Sequence, residues 1–342
     1  MPQPRFPIGQ PKERPGGTAE TRQRRPFRAI VFMLASTVLF ITMHAVIKVL
    51  AENDLDGQGE PLHPMVIAFF RIAFGLLVAL PFIWQSGFSI FRTRQAPKLA
   101  LRAAVNVVAM LTHFTALSLA GLDVVTALGF TAPLFATMLG FLLFGERAGW
   151  RRWSAIVIGF AGTLIVLRPG LTTVGLGEVL VLVSSFAWAF VMIQIKDLGR
   201  TESTATIAAY ASIMMAPLAL LPALFVWSWP GLAELAILVV VGVLGGSAQL
   251  CLTESLKWAE THVVMPFDFA RLVWATMLSA MVFAAWPDLW VWIGGAVIFA
   301  ANTYILVREH QLRRAARSRD PVVPPAPSTG NLAPLVRDGD DD

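Results

Sequence analysis

Nowhere between Ala29 and Val307 does the chain go further than a short loop without another apolar run of roughly twenty residues, and that succession constrains the fold most. A run of that length crosses the hydrocarbon core of a bilayer as a helix, which satisfies its own backbone where there is no water. The block Gly129–Gly170, GFTAPLFATMLGFLLFGERAGWRRWSAIVIGFAGTLIVLRPG, shows the pattern in miniature. Two apolar runs flank a turn, Gly145-Glu146-Arg147 with Arg151 and Arg152, that is too polar to sit in lipid. Charged residues make up 14% of the chain, against about 25% in a soluble domain. With 56% apolar residues, a soluble chain of 342 has no means of hiding its apolar surface. The expected product is an all-α integral membrane protein.

The pattern predicts ten transmembrane helices: Ala29–Leu50, Met65–Gln85, Leu99–Leu119, Val124–Phe144, Trp150–Leu167, Glu178–Lys196, Ala205–Trp227, Glu234–Leu256, His262–Ala285 and Asp288–Val307. Gly121 and Pro287 are the breakers that part adjacent runs. Ala29–Leu50 is longer than the h-region of a signal peptide, about 7–15 residues, and reads as a span that stays. The Pro- and Arg-rich segment 1–28 and the segment 309–342, with its acidic end, read as disordered tails.

Charge sets the orientation. With the first tail inside, cytoplasmic segments collect 23 of the 27 Lys and Arg, while Glu52, Asp54, Asp56, Glu60 and Asp288 fall in the opposite loops. The net charge of +5 therefore speaks for membrane orientation and not for nucleic acid. Both tails are expected in the cytoplasm, in a multi-pass protein of the cell inner membrane. The lone Cys251 allows no internal disulfide and reads as a packed thiol.

Phe144–Arg168 and Phe283–Arg308 share a small-residue turn, an aromatic re-entry, a glycine-containing apolar span and a terminal Arg. Upstream of each stands a proline, Pro133 and Pro266, which marks two halves at 29–168 and 178–308. Five spans per half is an odd number, so the second half must be inserted upside down. The residues Pro133, Phe144-Gly145-Glu146-Arg147, Trp153, Gly159-Phe160-Ala161-Gly162 and Leu167-Arg168-Pro169-Gly170 resemble the EamA-type repeat of the drug/metabolite transporter superfamily. So do Pro266-Phe267-Asp268-Phe269, Phe283, Pro287-Asp288 and Gly294-Gly295 in the second half. One departure stands out: where the second repeat usually carries Gly-Glu at its turn, this chain has Ala284-Ala285. The resemblance implies ten helices as two inverted five-helix EamA repeats, both ends cytoplasmic.

Polar groups inside a bilayer cost roughly 2.5–3.5 kcal/mol for a central Arg, Lys or Asp, so each needs a reason. Arg71, a third of the way into the second span, suits an anionic or carbonyl group on a substrate, or else bonds backbone carbonyls or snorkels. Asp268 and Arg271 share a helix face, either as a self-neutralising pair or as a lining of the central site. His44 and His113 are the candidates for proton coupling, and His113 also for the substrate site, against a hydrogen-bonded packing role. Lys48 is placed to pair with Glu52. Trp188 and Trp274, both mid-span, suit an aromatic wall or plain packing, unlike the tryptophans at span ends. Gln194 adds a further polar group. Structural roles fall to Pro133, to Pro266 and to Glu146, an anchor at the inner face.

No phosphate-binding loop, hydrolase elbow or metal-ligand cluster appears, so no cofactor and no metal are expected. The function expected is a gradient-coupled carrier for a small organic metabolite: an amino acid, a flavin or an S-adenosylmethionine-like solute. Drug or toxic-metabolite efflux is the alternative, and an intramembrane enzyme the rival from another class. The expected partners are the substrate, the lipid bilayer and a second copy of the chain in a homodimer. A reporter active only in the cytoplasm should work at both chain ends and be silent between Glu52 and Glu60; activity in that loop contradicts the charge asymmetry.

Overall fold

The structure, a computed structural model, describes residues 26–317 apart from 56, 58, 59, 87–92, 94, 145–149, 169–172, 199–203, 259–263, 265, 266 and 287. Glu146, Pro266 and Pro287 therefore lie outside the described residues, as does most of both tails. Regular structure among the described residues is helical: α1 (Pro26–Glu52), α2 (Pro64–Ser86), α3 (Ala96–Leu119), α4 (Leu122–Gly129), α5 (Ala132–Phe144), α6 (Trp150–Leu167), α7 (Leu176–Leu198), α8 (Thr204–Phe225), α9 (Leu232–Trp258), α10 (Ala270–Phe283) and α11 (Leu289–Arg317). Five described segments are long and apolar enough to cross a membrane: Phe27–Glu52, Ala96–Leu119, Leu122–Gly140, Leu176–Gln194 and Leu232–Ser255. Five shorter apolar helices accompany them, Pro64–Val78, Trp153–Leu167, Ile213–Phe225, Ala270–Phe283 and Leu289–Ile305.

The break expected at Gly121 is present, with Gly121 in extended conformation between α3 and α4. A second break, at Phe130-Thr131, splits the expected Val124–Phe144 helix in two. Pro133 explains it, because a proline ring clashes with the carbonyl four residues back, here Gly129, where α4 ends. The carbonyl of Phe130 is not left bare: Asn302 Nδ2 on α11 donates to it at 2.7 Å. In the second half α10 begins after a turn at Phe269, whose ring lies 5.7 Å from that of Phe130. The interruptions of the two halves thus meet. At the other end of the chain, α11 continues past the expected limit at Val307 as far as Arg317. That extension is rich in Ala, Arg and Gln, all good helix formers, and an Arg308–Gln311 bond links one turn of it.

The packing repeats when the halves are exchanged. Helix α1 lies along α9 as α7 lies along α3, and α2 meets α9 as α8 meets α3. Likewise α5 packs on α7 as α10 packs on α1, while α2 with α8 and α6 with α11 are their own counterparts. The α6–α11 contact is backbone on backbone. A Cβ at Gly162 would stand 2.9 Å from Gly294 O, and one at Gly294 would stand 2.6 Å from Gly162 O, closer than any side chain allows.

The sequence departure at Ala284-Ala285 has a structural cost. Ala284 closes α10 in the left-handed conformation (φ 50), and the backbone N–H groups of Ala284 and Ala285 both donate to Ser279 O. That geometry suits glycine, and alanine is strained in it by roughly 1–2 kcal/mol. Ala284→Gly is expected to stabilise the protein by about 0.5–1 kcal/mol after the extra chain entropy of glycine is subtracted. Thermal melting in detergent measures it. No gain for Gly, together with no loss for Ala284→Val, would contradict the strain.

Candidate binding site

Polar side chains from both halves converge at mid-depth. From α1 come Met43 and His44; from α2, Arg71; from α3, Met110, His113 and Phe114; from α7, Ser184; and from α10, Arg271. The rings of His44 and His113 lie 4.9 Å apart, tilted by 52°. Both histidines stand within electrostatic reach of Arg71 and Arg271. The histidines and arginines singled out in the sequence therefore belong to one place.

The hydrogen bonds of His113 orient it. Ser184 Oγ donates to Val181 O at 2.8 Å, so its lone pairs face His113 Nδ1 at 3.4 Å. That arrangement suits a proton on Nδ1, with Nε2 then an acceptor. Asn106, two turns below, is turned elsewhere and donates to Met215 Sδ on α8 at 3.2 Å.

Arg71 is partly buried and poorly matched. Its Nε donates to Met43 Sδ at 3.5 Å and its Nη1 to Met110 Sδ at 3.3 Å, and its guanidinium lies 5.9 Å from the Phe114 ring centre. Thioether sulfur is a weak acceptor, so the fork keeps most of its bonding capacity. Gly245 on α9 allows this placement, since a Cβ there would stand 2.8 Å from Met43 Sδ and 3.1 Å from Arg71 Nε. The neighbouring Gly242 would meet Phe74 Cβ at 2.4 Å, so α9 approaches α2 along its glycines.

Arg271 Nε stands 2.9 Å from Asp268 Oδ1, the pair expected from their spacing. The approach is not aligned as a hydrogen bond, and both atoms are buried without one. The Arg271 guanidinium lies 4.8 Å from the ring centre of Phe40 on α1. Trp274, one turn further along α10, packs on the apolar core with its Nε1–H buried and without an acceptor. Gln194 Oε1 on α7 is likewise buried without a donor.

Trp188 lies on α7 four residues after Ser184, hence on the face that meets His113. It is 38% exposed, although the exposed stripe Val179, Val183 and Phe186 runs down the opposite side of the helix. Gln249 on α9, one turn past Gly245, is also exposed opposite the stripe Val240 and Val243. Helices α7 and α9 are thus open on their inner faces toward their C-terminal ends. At the other end the described residues are tied together. Lys48, only 7% exposed, donates to Glu52 Oε1 at 2.5 Å, Leu117 O at 3.0 Å and Ala120 O at 2.9 Å, and faces the Phe283 ring at 5.4 Å. Arg168, in left-handed conformation at the end of α6, pairs with Asp288 ahead of α11.

The model of the EamA-like transporter family matches residues 27–168 and again 175–307. An S-adenosylmethionine uptake transporter of Rickettsia bellii is 26% identical over 259 residues, 75% of this chain and 89% of the relative. A riboflavin transporter of Vibrio cholerae is 28% identical over 299 residues, 86% of this chain and 98% of the relative. A riboflavin transporter of Rhizobium johnstonii is also 28% identical, over 72% of this chain and 82% of its own. A solved crystal structure shares the fold with a TM-score of 0.55 at 19% identity, covering 84% of this chain and 96% of the other.

The two faces of α7 give a test that needs no ligand. In a Cys251→Ala background, Trp188→Cys should react with a charged thiol reagent at least about tenfold faster than Val183→Cys in intact membranes, because only a hydrated thiol ionises. Equal rates would mean that Trp188 faces lipid.

Proposed function

The chain belongs to the EamA-like transporter family, and from that premise we propose that it is a secondary active carrier moving a small organic metabolite across the cytoplasmic membrane by alternating access. Counting α4 and α5 as one broken span gives ten, five to each half, and an odd number per half makes the repeat inverted. The observation that carries the proposal is the convergence of Arg71, His44 and His113 from one half with Ser184 and Arg271 from the other. A site assembled from both halves is remade whenever one half rocks against the other, which is what alternating access requires.

The Lys and Arg asymmetry puts Lys48, Arg168 and Asp288 at the outer face and the C-terminal ends of α7 and α9 at the inner one. On that orientation the molecule is closed outside and open to the cytoplasm. Lys48 holds the outer end by binding the last carbonyls of α3, where the helix dipole favours a cation. Opening outward means withdrawing that ammonium and parting Arg168 from Asp288. The S-adenosylmethionine uptake transporter among the relatives supports uptake, and the riboflavin transporter supports a metabolite as substrate.

His44 and His113 supply the proton coupling in this scheme, passing a proton between two neighbouring imidazoles in the substrate's path. Proteoliposomes with an imposed pH gradient test both parts. Saturable uptake that collapses with the gradient is expected from the wild type. His113→Gln should lose gradient-driven accumulation by about tenfold or more while keeping solute exchange at equal pH. Unsaturable flux would reject the carrier, and unchanged accumulation by His113→Gln would reject the histidine.

A further inference from the structure

The central cluster is rich in donors and poor in acceptors. Among the described residues, the hydrogen-bond acceptors of Arg71 are two thioether sulfurs, with the Phe114 ring nearby. Arg271 has an unaligned contact with Asp268, and the Trp274 indole N–H has no acceptor. The carboxylate beside them is that of Asp268, 2.9 Å from Arg271 Nε and without an aligned hydrogen bond at Oδ1, against the donor forks of two arginines. A buried donor left unpaired is destabilising, so a site like this gains most from a ligand that brings acceptors. Its flat walls, Phe114 beside Arg71 and Phe40 beside Arg271, suit a planar ring laid where the guanidiniums already are.

We propose that the ligand is a planar heteroaromatic solute, neutral or anionic, whose row of carbonyl, ring-nitrogen or carboxylate acceptors meets Arg71, Arg271 and Trp274 Nε1, and that net-cationic solutes are rejected. This rests on the carrier reading for the site and narrows it. Of the two solutes named for the relatives, riboflavin is uncharged and carries an imide edge with two carbonyls. S-adenosylmethionine carries a sulfonium and an ammonium against a single carboxylate. The site offers the first solute its donors. For the excess positive charge of the second it offers repulsion by two guanidiniums and no free carboxylate.

Equilibrium binding to the full chain in lipid nanodiscs tests the proposal, followed by calorimetry with riboflavin, orotate and S-adenosylmethionine as probes. Riboflavin or orotate should bind at least about tenfold more tightly than S-adenosylmethionine. Arg71→Gln should weaken the bound planar probe roughly 10- to 100-fold, as expected for a hydrogen bond to a charged group. Trp274→Phe keeps the ring, removes only the N–H and should weaken binding about 3- to 10-fold at an unchanged melting temperature. If Arg71→Gln fails to fold, the indole variant still decides. Tighter binding of S-adenosylmethionine overturns the proposal. So does silence from both planar probes, or planar binding indifferent to both substitutions. Binding needs no gradient, so planar binding without saturable flux rejects the carrier and keeps the ligand class, whereas saturable flux of a cation does the reverse.

Discussion

A bilayer offers no water to a backbone that loses its own hydrogen bonds, and the architecture turns on how that debt is met at one place. Pro133 interrupts the helix between α4 and α5, and in the turn so formed the carbonyl of Phe130 is served from another helix. Asn302, on the last helix of the other half, donates to that carbonyl at 2.7 Å from 172 residues away. The same neighbourhood brings the Phe130 ring against Phe269, at the start of α10, and Phe269 in turn lies 4.5 Å from Phe299 on α11. The interruption thus pins α4, α5, α10 and α11 together. It also anchors α10, the helix that carries Arg271 and Trp274, and the turn that follows Asp268.

Much of this arrangement was legible in the sequence because it is local. Apolar runs give the helices, and Gly121 gives the break before α4. Spacings of four and three residues give Lys48 with Glu52 and Asp268 with Arg271, both of which the structure pairs. What stayed hidden depends on the angular position of one helix against another. His44 and His113 are far apart in the chain, and nothing in either span says that their rings meet. Ser184, Met43 and Met110 look like ordinary span residues and become interesting only through what they touch. Asn302 escaped notice for the same reason: it sits in an apolar run, and the carbonyl it serves belongs to the other half. The Pro133 break itself was foreseeable; its consequence for helix count was not drawn, since one span and two short helices share a hydropathy profile.

The two ends of the bundle are held by different chemistry. At the Lys48 end the contacts are ionic and long-range in sequence: an ammonium on the α3 carbonyls, and Arg168 against Asp288 across the two halves. The two differ in exposure: Lys48 is buried with three acceptors, whereas Arg168 and Asp288 are partly exposed and their pairing is weakened by water. Toward the C-terminal ends of α7 and α9, Trp188 and Gln249 stand open on the inner faces.

Arg71 shows why the glycines of α9 matter as much as the charges. A guanidinium in a membrane interior normally collects carboxylates or carbonyls. Here the main chain at Gly245 comes close enough that no side chain fits between it and Arg71, and Met43 and Met110 occupy the remaining directions. Strong protein acceptors are thereby kept off the fork by packing alone. Carrying that charge poorly matched costs stability, and the ligand proposed above would recover that cost by supplying an oxygen or nitrogen acceptor. Since that recovery appears only on binding, it adds to the difference in ligand affinity between states. Close packing of α2 on α9 and the binding of a solute are in this sense one problem: loosening the first by any side chain at Gly245 moves Arg71 and blunts the second.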